Sequence, residues 1–285
     1  MAPAAPLAAA SAPMVLCIHQ TTSAAAGYRR SLEGYAKAGI RYVEVIPPHV
    51  NEFVAKEGMP AARRLLSDLG LKAVSSGGVR GLAEPGPDHA KVIEQLKATA
   101  EMVAALGVDR MVCPCGTTAA YKADDYARAA DNLREAGDIA GRSGVTVMLE
   151  FMRGSTFIGT LDTALRVTRA AAHPHVKPMF DCYHFWAGLS KFEDLDGVRS
   201  GEIHHAHFQD VPDRPRELLD GTTREIPGDG ISPLVRILRK LKEKGYSGPL
   251  SVELFYPHLQ QGDPYEVART IRQKAEAVMR TAGVA

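Results

Sequence analysis

The feature that most constrains this chain is a rhythm. Eight short apolar runs alternate with longer stretches of helical periodicity. The runs are M-V-L-C-I (14–18), Y-V-E-V-I (42–46), K-A-V-S (72–75), R-M-V-C (110–113), T-V-M-L-E-F (146–151), K-P-M-F-D (177–181), I-H-H-A-H-F (203–208) and L-S-V-E-L-F (250–255). Each is too short for a helix, and most are rich in β-branched or aromatic residues, as buried strands are. Between them, apolar residues recur every three or four positions over 27–38, 52–69, 88–106, 124–143, 159–172, 232–244 and 263–281, with a weaker stretch at 191–200. Glycines in A-G-I, L-G-L, L-G-V and K-G-Y close four of these helices, because glycine tolerates the left-handed conformation that ends one.

Eight alternations of strand and helix call for a parallel sheet covered by helices. The count and the length predict an α/β fold, a single (β/α)8 TIM barrel over residues 14–285. A doubly wound sheet is the competing fold, but the first turn reads H-Q-T-T-S-A-A-A-G and lacks a dinucleotide fingerprint. Residues 1–13 are low in complexity and uncharged. They read as a disordered tail on a cytoplasmic protein. The alternative is the remnant of an export signal, which would make the protein periplasmic, although a basic n-region and a longer apolar stretch are missing.

Lys and Arg number 34 against 33 Asp and Glu, a net charge of +1. That balance predicts no nucleic-acid partner. No apolar stretch reaches the roughly 18 residues of a membrane span. The four cysteines, at 17, 113, 115 and 182, have no zinc-knuckle spacing and read as reduced thiols.

In a barrel, chemistry sits at the C-terminal ends of the strands. The fifth run ends in Glu150, the sixth in Asp181, and the seventh and eighth carry His207 and Glu253. The three carboxylates are flanked by apolar neighbours, and burying such a charge costs several kcal/mol unless it is paired or bound to a cation. Three facing one another would repel, so that some would take up protons, and a divalent metal removes the conflict. Three carboxylates and one imidazole suit Mn2+, Mg2+ or Co2+. His205 shares the face of His207 and could lie deeper in the barrel, whereas His204 takes the other face. His19, Gln20, Glu44 and His49, near the ends of the first two runs, are candidates for the far wall of the pocket. Trp186 and Phe185 are candidates for an apolar wall. Gly228 and Gly230 in P-G-D-G read as a turn near the mouth.

The series V-M-L-E-F, M-F-D-C-Y-H, H-A-H-F-Q-D, R-E-I-P-G-D-G and G-Y-S-G-P-L-S-V-E-L-F resembles the sugar phosphate isomerase/epimerase superfamily, whose members are xylose isomerase-like barrels. The order of the motifs is specific, although each alone is weak. The stretch P-R-E-L-L-D-G-T-T-R-E-I-P-G-D-G followed by S-V-E-L-F is most similar to the inosose (keto-inositol) isomerase branch. The resemblance implies a metal site of Glu150, Asp181, His207 and Glu253, with Glu150 and Glu253 as catalytic acid and base. It also implies substrate contacts from His184 and from an arginine after the seventh strand. Arg216 best matches the pattern, with Arg214 and Arg224 as rivals. The implied substrate is a small sugar or cyclitol, and a homo-oligomer paired through the loops is compatible with the pattern. Met152 stands where some dehydratase relatives place a His. The expected activity is isomerisation or epimerisation through an enediolate. Elimination from a 3-keto-glycoside is the alternative, and a non-catalytic sugar-binding barrel is a reading from another class.

Overall fold

The structure is a computed structural model, and it describes residues 12–285. Most of the expected tail at 1–13 lies outside them. Among the described residues nine strands form one parallel sheet: β1 (Val15–His19), β2 (Tyr42–Val45), β3 (Lys72–Gly77), β4 (Arg110–Cys115), β5 (Thr146–Phe151), β6 (Val176–Pro178), β7 (Phe180–Asp181), β8 (Ala206–His207) and β9 (Pro249–Val252). Their order is β6-β5-β4-β3-β2-β1-β9-β8-β7. The two ends of that order are the two halves of one run, parted only by Met179. The Met179 N–H donates to Leu149 O on β5 (3.1 Å), and the Phe180 N–H donates to His205 O just before β8 (3.0 Å). The sixth run therefore bonds to both neighbours and closes the sheet into a barrel. Pro178 contributes no N–H to that ladder, which is why the run breaks there.

The helices are α1 (Gly27–Lys37), α2 (Pro47–Glu57), α3 (Met59–Asp68), α4 (His89–Leu106), α5 (Asp125–Gly141), α6 (Leu161–Ala171), α7 (Cys182–Ala187), α8 (Leu234–Glu243), α9 (Pro257–Gln260) and α10 (Pro264–Ala282). The stretch at 52–69, expected as one helix, is two. Gly58 stands between α2 and α3 at φ 83°, a conformation that helix interiors exclude. The expected helix at 191–200 is a 3-10 turn, Phe192–Gly197. Helix α7 has no period to announce it. It forms because Asp181 caps it, Oδ1 accepting the His184 N–H at 2.6 Å.

Period-two alternation sorts each strand between two cores. Ile18, Val43, Val45, Leu149, Phe151, Phe180, Ala206, Phe208, Leu250 and Val252 point outward and pack with the helices in one large core. Val112, Met148 and Met179 form a separate small cluster, plugging the barrel from inside. Above that plug the inward positions turn polar: His19, Glu44, Ser75, Glu150, Asp181, His205, His207, Ser251 and Glu253 are all buried. On α8, Leu234, Ile237, Leu238 and Leu241 make the stripe that faces the sheet. Replacing fully buried Leu238 with Ala should lower stability by ~2–5 kcal/mol. Urea unfolding followed by circular dichroism measures this. Glu243→Ala, on the exposed face of the same helix, should shift it by less than ~0.5 kcal/mol.

Candidate metal centre at the mouth of the barrel

Four consecutive staves bring Glu150, Asp181, His207 and Glu253 together, each offering one ligand atom within 4.8 Å of the others. His207 Nδ1 is the common point. It lies 3.2 Å from Glu150 Oε1, 3.3 Å from Asp181 Oδ2 and 3.4 Å from Glu253 Oε2. The set is oxygen-rich with one nitrogen and holds an excess of negative charge, and this fits a divalent cation. All four cysteines are free and buried, and none lies in this group.

The neighbours hold Asp181 and His207 in place. Asp181 Oδ2 accepts Gln209 Nε2 at 2.7 Å, while Oδ1 is held by the first turn of α7. Glu44 lies beneath the group and is fully buried. Its Oε2 accepts His205 Nε2 at 2.8 Å and His207 Nε2 at 3.2 Å, and its Oε1 accepts Ser75 Oγ at 3.3 Å. A carboxylate behind a ligating imidazole fixes its tautomer and strengthens it as a ligand. Glu44, expected in the far wall of the pocket, lies behind His207. His205 occupies the deeper position, and His204 is half-buried on the other face, with its carbonyl accepting Arg110 Nη1 at 2.9 Å.

The charges settle one another unequally. Burial pushes the Glu150 carboxyl up to about 7. Burial would also raise Asp181, but His184, Arg224 and His207 outweigh it and hold Asp181 well below the usual carboxylate range. Glu253 is likewise lowered against its burial, chiefly by Arg224 and His207. Burial works against a charged His207, yet Glu44, Glu253, Asp181 and Glu150 raise its pKa far above that of an ordinary imidazole. Burial brings His184 down to about 4.

The arginine that reaches this group is Arg224. It is buried, its Nη1 pairs with Glu253 Oε2, and its Nη2 lies 3.0 Å from His184 Nε2. Arg216 and Arg214 are exposed. Arg216 Nη1 donates to Gly188 O at 3.3 Å, and its guanidinium lies over half-buried Trp186, 5.4 Å from the ring centre. The structure therefore places Trp186 and Arg216 together on the rim, away from the carboxylates. Arg224 follows T-T and precedes Glu225, whose backbone exchanges hydrogen bonds with Asp210. That anchor carries Arg224 over the mouth, while 213–218 stays in solvent. Its closeness to P-G-D-G was the available signal. Asp210 also receives Gly228 N (3.1 Å) and Ser232 N (2.8 Å), which makes P-G-D-G the turn expected of it. Gln20, with Nε2 on Ser31 Oγ at 2.8 Å, and His49, with Nε2 on Ala24 O at 3.0 Å, bind the scaffold. Phe185 is buried in the outer core.

A family model described as xylose isomerase-like TIM barrel matches residues 32–280. The inosose isomerase of Halalkalibacterium halodurans is 28% identical over 274 residues, covering 93% of this chain and 96% of that protein. The crystal structure of the IOLI protein with a bound zinc atom superposes with a TM-score of 0.88 at 25% identity, covering 94% of this chain and 99% of that one. The 3-dehydroshikimate dehydratase of Pseudomonas putida is 24% identical over 262 residues, covering 90% of this chain but 40% of that protein.

Two measurements test the geometry. A ligand must shed its proton to bind a metal. With Glu150 at about 7 and His207 higher, Mn2+ affinity measured by calorimetry should rise as pH climbs through neutrality, with protons released. An affinity flat in pH would contradict this. Glu44→Gln leaves the four ligands in place but weakens the support of His207, so Mn2+ affinity should fall roughly 10–100-fold.

Proposed function

This chain belongs to the xylose isomerase-like TIM barrel family, and on that premise we propose that it is a metal-dependent isomerase or epimerase of a keto-sugar or keto-cyclitol, acting through an enediolate. The observation that carries the reading is the convergence of two carboxylates, Glu150 and Glu253, on one buried point, His207 Nδ1, with Glu253 held beside the donor pair Arg224 and His184. Relatives named inosose isomerase match almost the whole length, which makes keto-cyclitols the first substrates to test.

The donor set of Glu150, Asp181, His207 and Glu253 favours Mn2+, with Mg2+ or Co2+ as substitutes. The ion would supply Lewis-acid polarisation of the ketone and its neighbouring hydroxyl. Arg224 keeps Glu253 ionised, so Glu253 is the group to take the proton from the carbon beside the ketone. The C–H electrons form a C=C bond, and the carbonyl oxygen takes the charge. In an isomerase Glu253 hands its proton to the former carbonyl carbon while Glu150 relays the proton of the neighbouring hydroxyl to the former carbonyl oxygen; in an epimerase Glu150 relays that hydroxyl proton to the opposite face of the same carbon and Glu253 returns its own to the oxygen.

His184 and Arg224 form the donor pair. The Arg153 N–H donates to His184 Nδ1 at 3.2 Å, which leaves the hydrogen of the neutral ring on Nε2. Nε2 therefore meets Arg224 Nη2, 3.0 Å away, as donor to donor. A substrate oxygen accepting from both resolves that encounter and is held for the reaction. The Arg153 side chain braces the pair, with Nε on Ala187 O at 3.2 Å and Nη1 on Leu219 O.

An elimination draws on the same intermediate. A leaving group on the carbon next to the carbanion would depart with its bonding electrons, as from a 3-keto-glycoside. The dehydratase relatives favour keeping this second reading.

Proton NMR in D2O tests the proposal, with metal-depleted and Mn2+-restored protein offered keto-inositols, ketohexoses and 3-keto-glucosides. Metal-dependent exchange beside the ketone with an isomer accumulating is the expected result. Release of an aglycone would shift the reading to elimination, and absence of exchange with all of them would overturn it. Glu253→Gln should lower turnover by roughly 10²–10⁴-fold, and full activity in that variant would refute its role as base.

A further inference from the structure

Beside the four-residue group lies a second trio of metal-capable side chains, His19, Glu44 and His207. Its members are not free to act as one. Glu44 Oε2 already accepts from both His205 and His207. His19 closes β1 and caps the 3-10 turn that follows it, Nδ1 accepting the Thr21 N–H at 3.1 Å. A neutral imidazole has one acceptor nitrogen and one donor nitrogen. With Nδ1 accepting, Nε2 carries the hydrogen and has no lone pair for an ion.

Among the described residues that N–H has no acceptor. Nε2 lies 3.7 Å from Glu253 Oε1 and 3.9 Å from Glu44 Oε1, beyond hydrogen-bond reach of either. The residue is only 4% exposed, and its ring stands edge-on to His207 with centres 5.7 Å apart. The nitrogen is left open to the mouth rather than sealed in the protein, so an oxygen of a bound molecule can reach it. Here it points at the gap beside the carboxylate that would take the substrate proton, across Glu253 from Arg224.

We propose that His19 donates Nε2–H to a hydroxyl or carbonyl oxygen of the bound polyol next to Glu253, and that it is not a ligand of a second ion. The substrate half of this assignment rests on the functional reading above, whereas the state of the ring does not. Glu253 would then work between two donors, Arg224 on one side and His19 on the other. The second demands an oxygen beside the carbon being deprotonated, so a deoxy analogue at that position should be a poor substrate.

The test uses the full chain, His19→Asn and His19→Gln. Asn keeps an oxygen to cap Thr21 but withdraws the donor, and Gln extends an amide back toward the Nε2 position. Ring nitrogen NMR of histidine-labelled protein should show the His19 hydrogen on Nε2. Calorimetry with Mn2+ should give one ion per chain with equal affinity in all three proteins. With a keto-polyol found by the exchange assay, His19→Asn should lose roughly tenfold to a hundredfold in kcat/KM, and His19→Gln should recover part. A ring hydrogen on Nδ1, a second ion that His19→Asn no longer binds, or unchanged kcat/KM in His19→Asn would each overturn the proposal. A wild-type protein inactive on every keto-polyol would defeat the functional reading, and the ring spectrum and the metal count would still decide whether His19 is a donor or a ligand.

Discussion

Four carboxylates buried in the mouth of one barrel cannot all remain ionised unless positive charge is brought to them. Much of the architecture around the site follows from that constraint. Glu44 is balanced from above and below by His207 and His205. Asp181 is balanced by the first turn of a short helix, by an amide and by Arg224. Glu253 is balanced by Arg224. Among the described residues Glu150 makes no ion pair with an arginine or lysine, and it is the carboxyl that burial pushes to about 7. The remaining deficit of positive charge at His207 Nδ1 is what a divalent cation would meet.

The barrel makes this gathering possible because strand alternation is rigid. An inward position two residues further along a stave is one layer higher, and a shift of one residue would turn it outward. The lower layer is apolar, with Val112, Met148 and Met179. The layers above are polar. The apolar plug supports the polar mouth and keeps water from entering from below, so the interactions of the buried charges are strong. The break at Pro178 and Met179 sits where the barrel closes, immediately before Asp181. The stave that joins the two ends of the sheet thus also delivers Asp181, which caps α7.

Around this rigid centre, the donors that would meet a substrate come from elements that are not strands. His184 lies on α7, Arg224 on the long connection after β8, and His19 at the entry to a 3-10 turn. Arg153 ties α7 to that connection through three backbone carbonyls, Ala187, Leu219 and Arg216. The scaffold thus offers a fixed candidate metal site with a separately braced wall, and differences in substrate among such barrels can arise in the wall alone.

The sequence by itself determined the parts governed by local period. Eight apolar runs and their intervening helices follow from residue spacing, and a polar group at the end of an apolar run marks Glu150, Asp181, His207 and Glu253 as candidates at the barrel mouth. The structure brings those four together. Local pattern is weak at two places: Gly58 breaks one helix into two, and α7 exists only because a side chain caps it. Only the tertiary structure decided which arginine crosses the mouth, since Arg216 and Arg224 sit in one loop with similar neighbours. The hydrogen bonds between Asp210 and Glu225 choose between them by closing that loop across its own ends. The tertiary structure likewise placed Glu44 behind His207, across 163 residues. Period is a property of neighbouring residues and can be read from them, whereas the path of a loop and the partner of a buried charge depend on contacts that exist only after the barrel has closed.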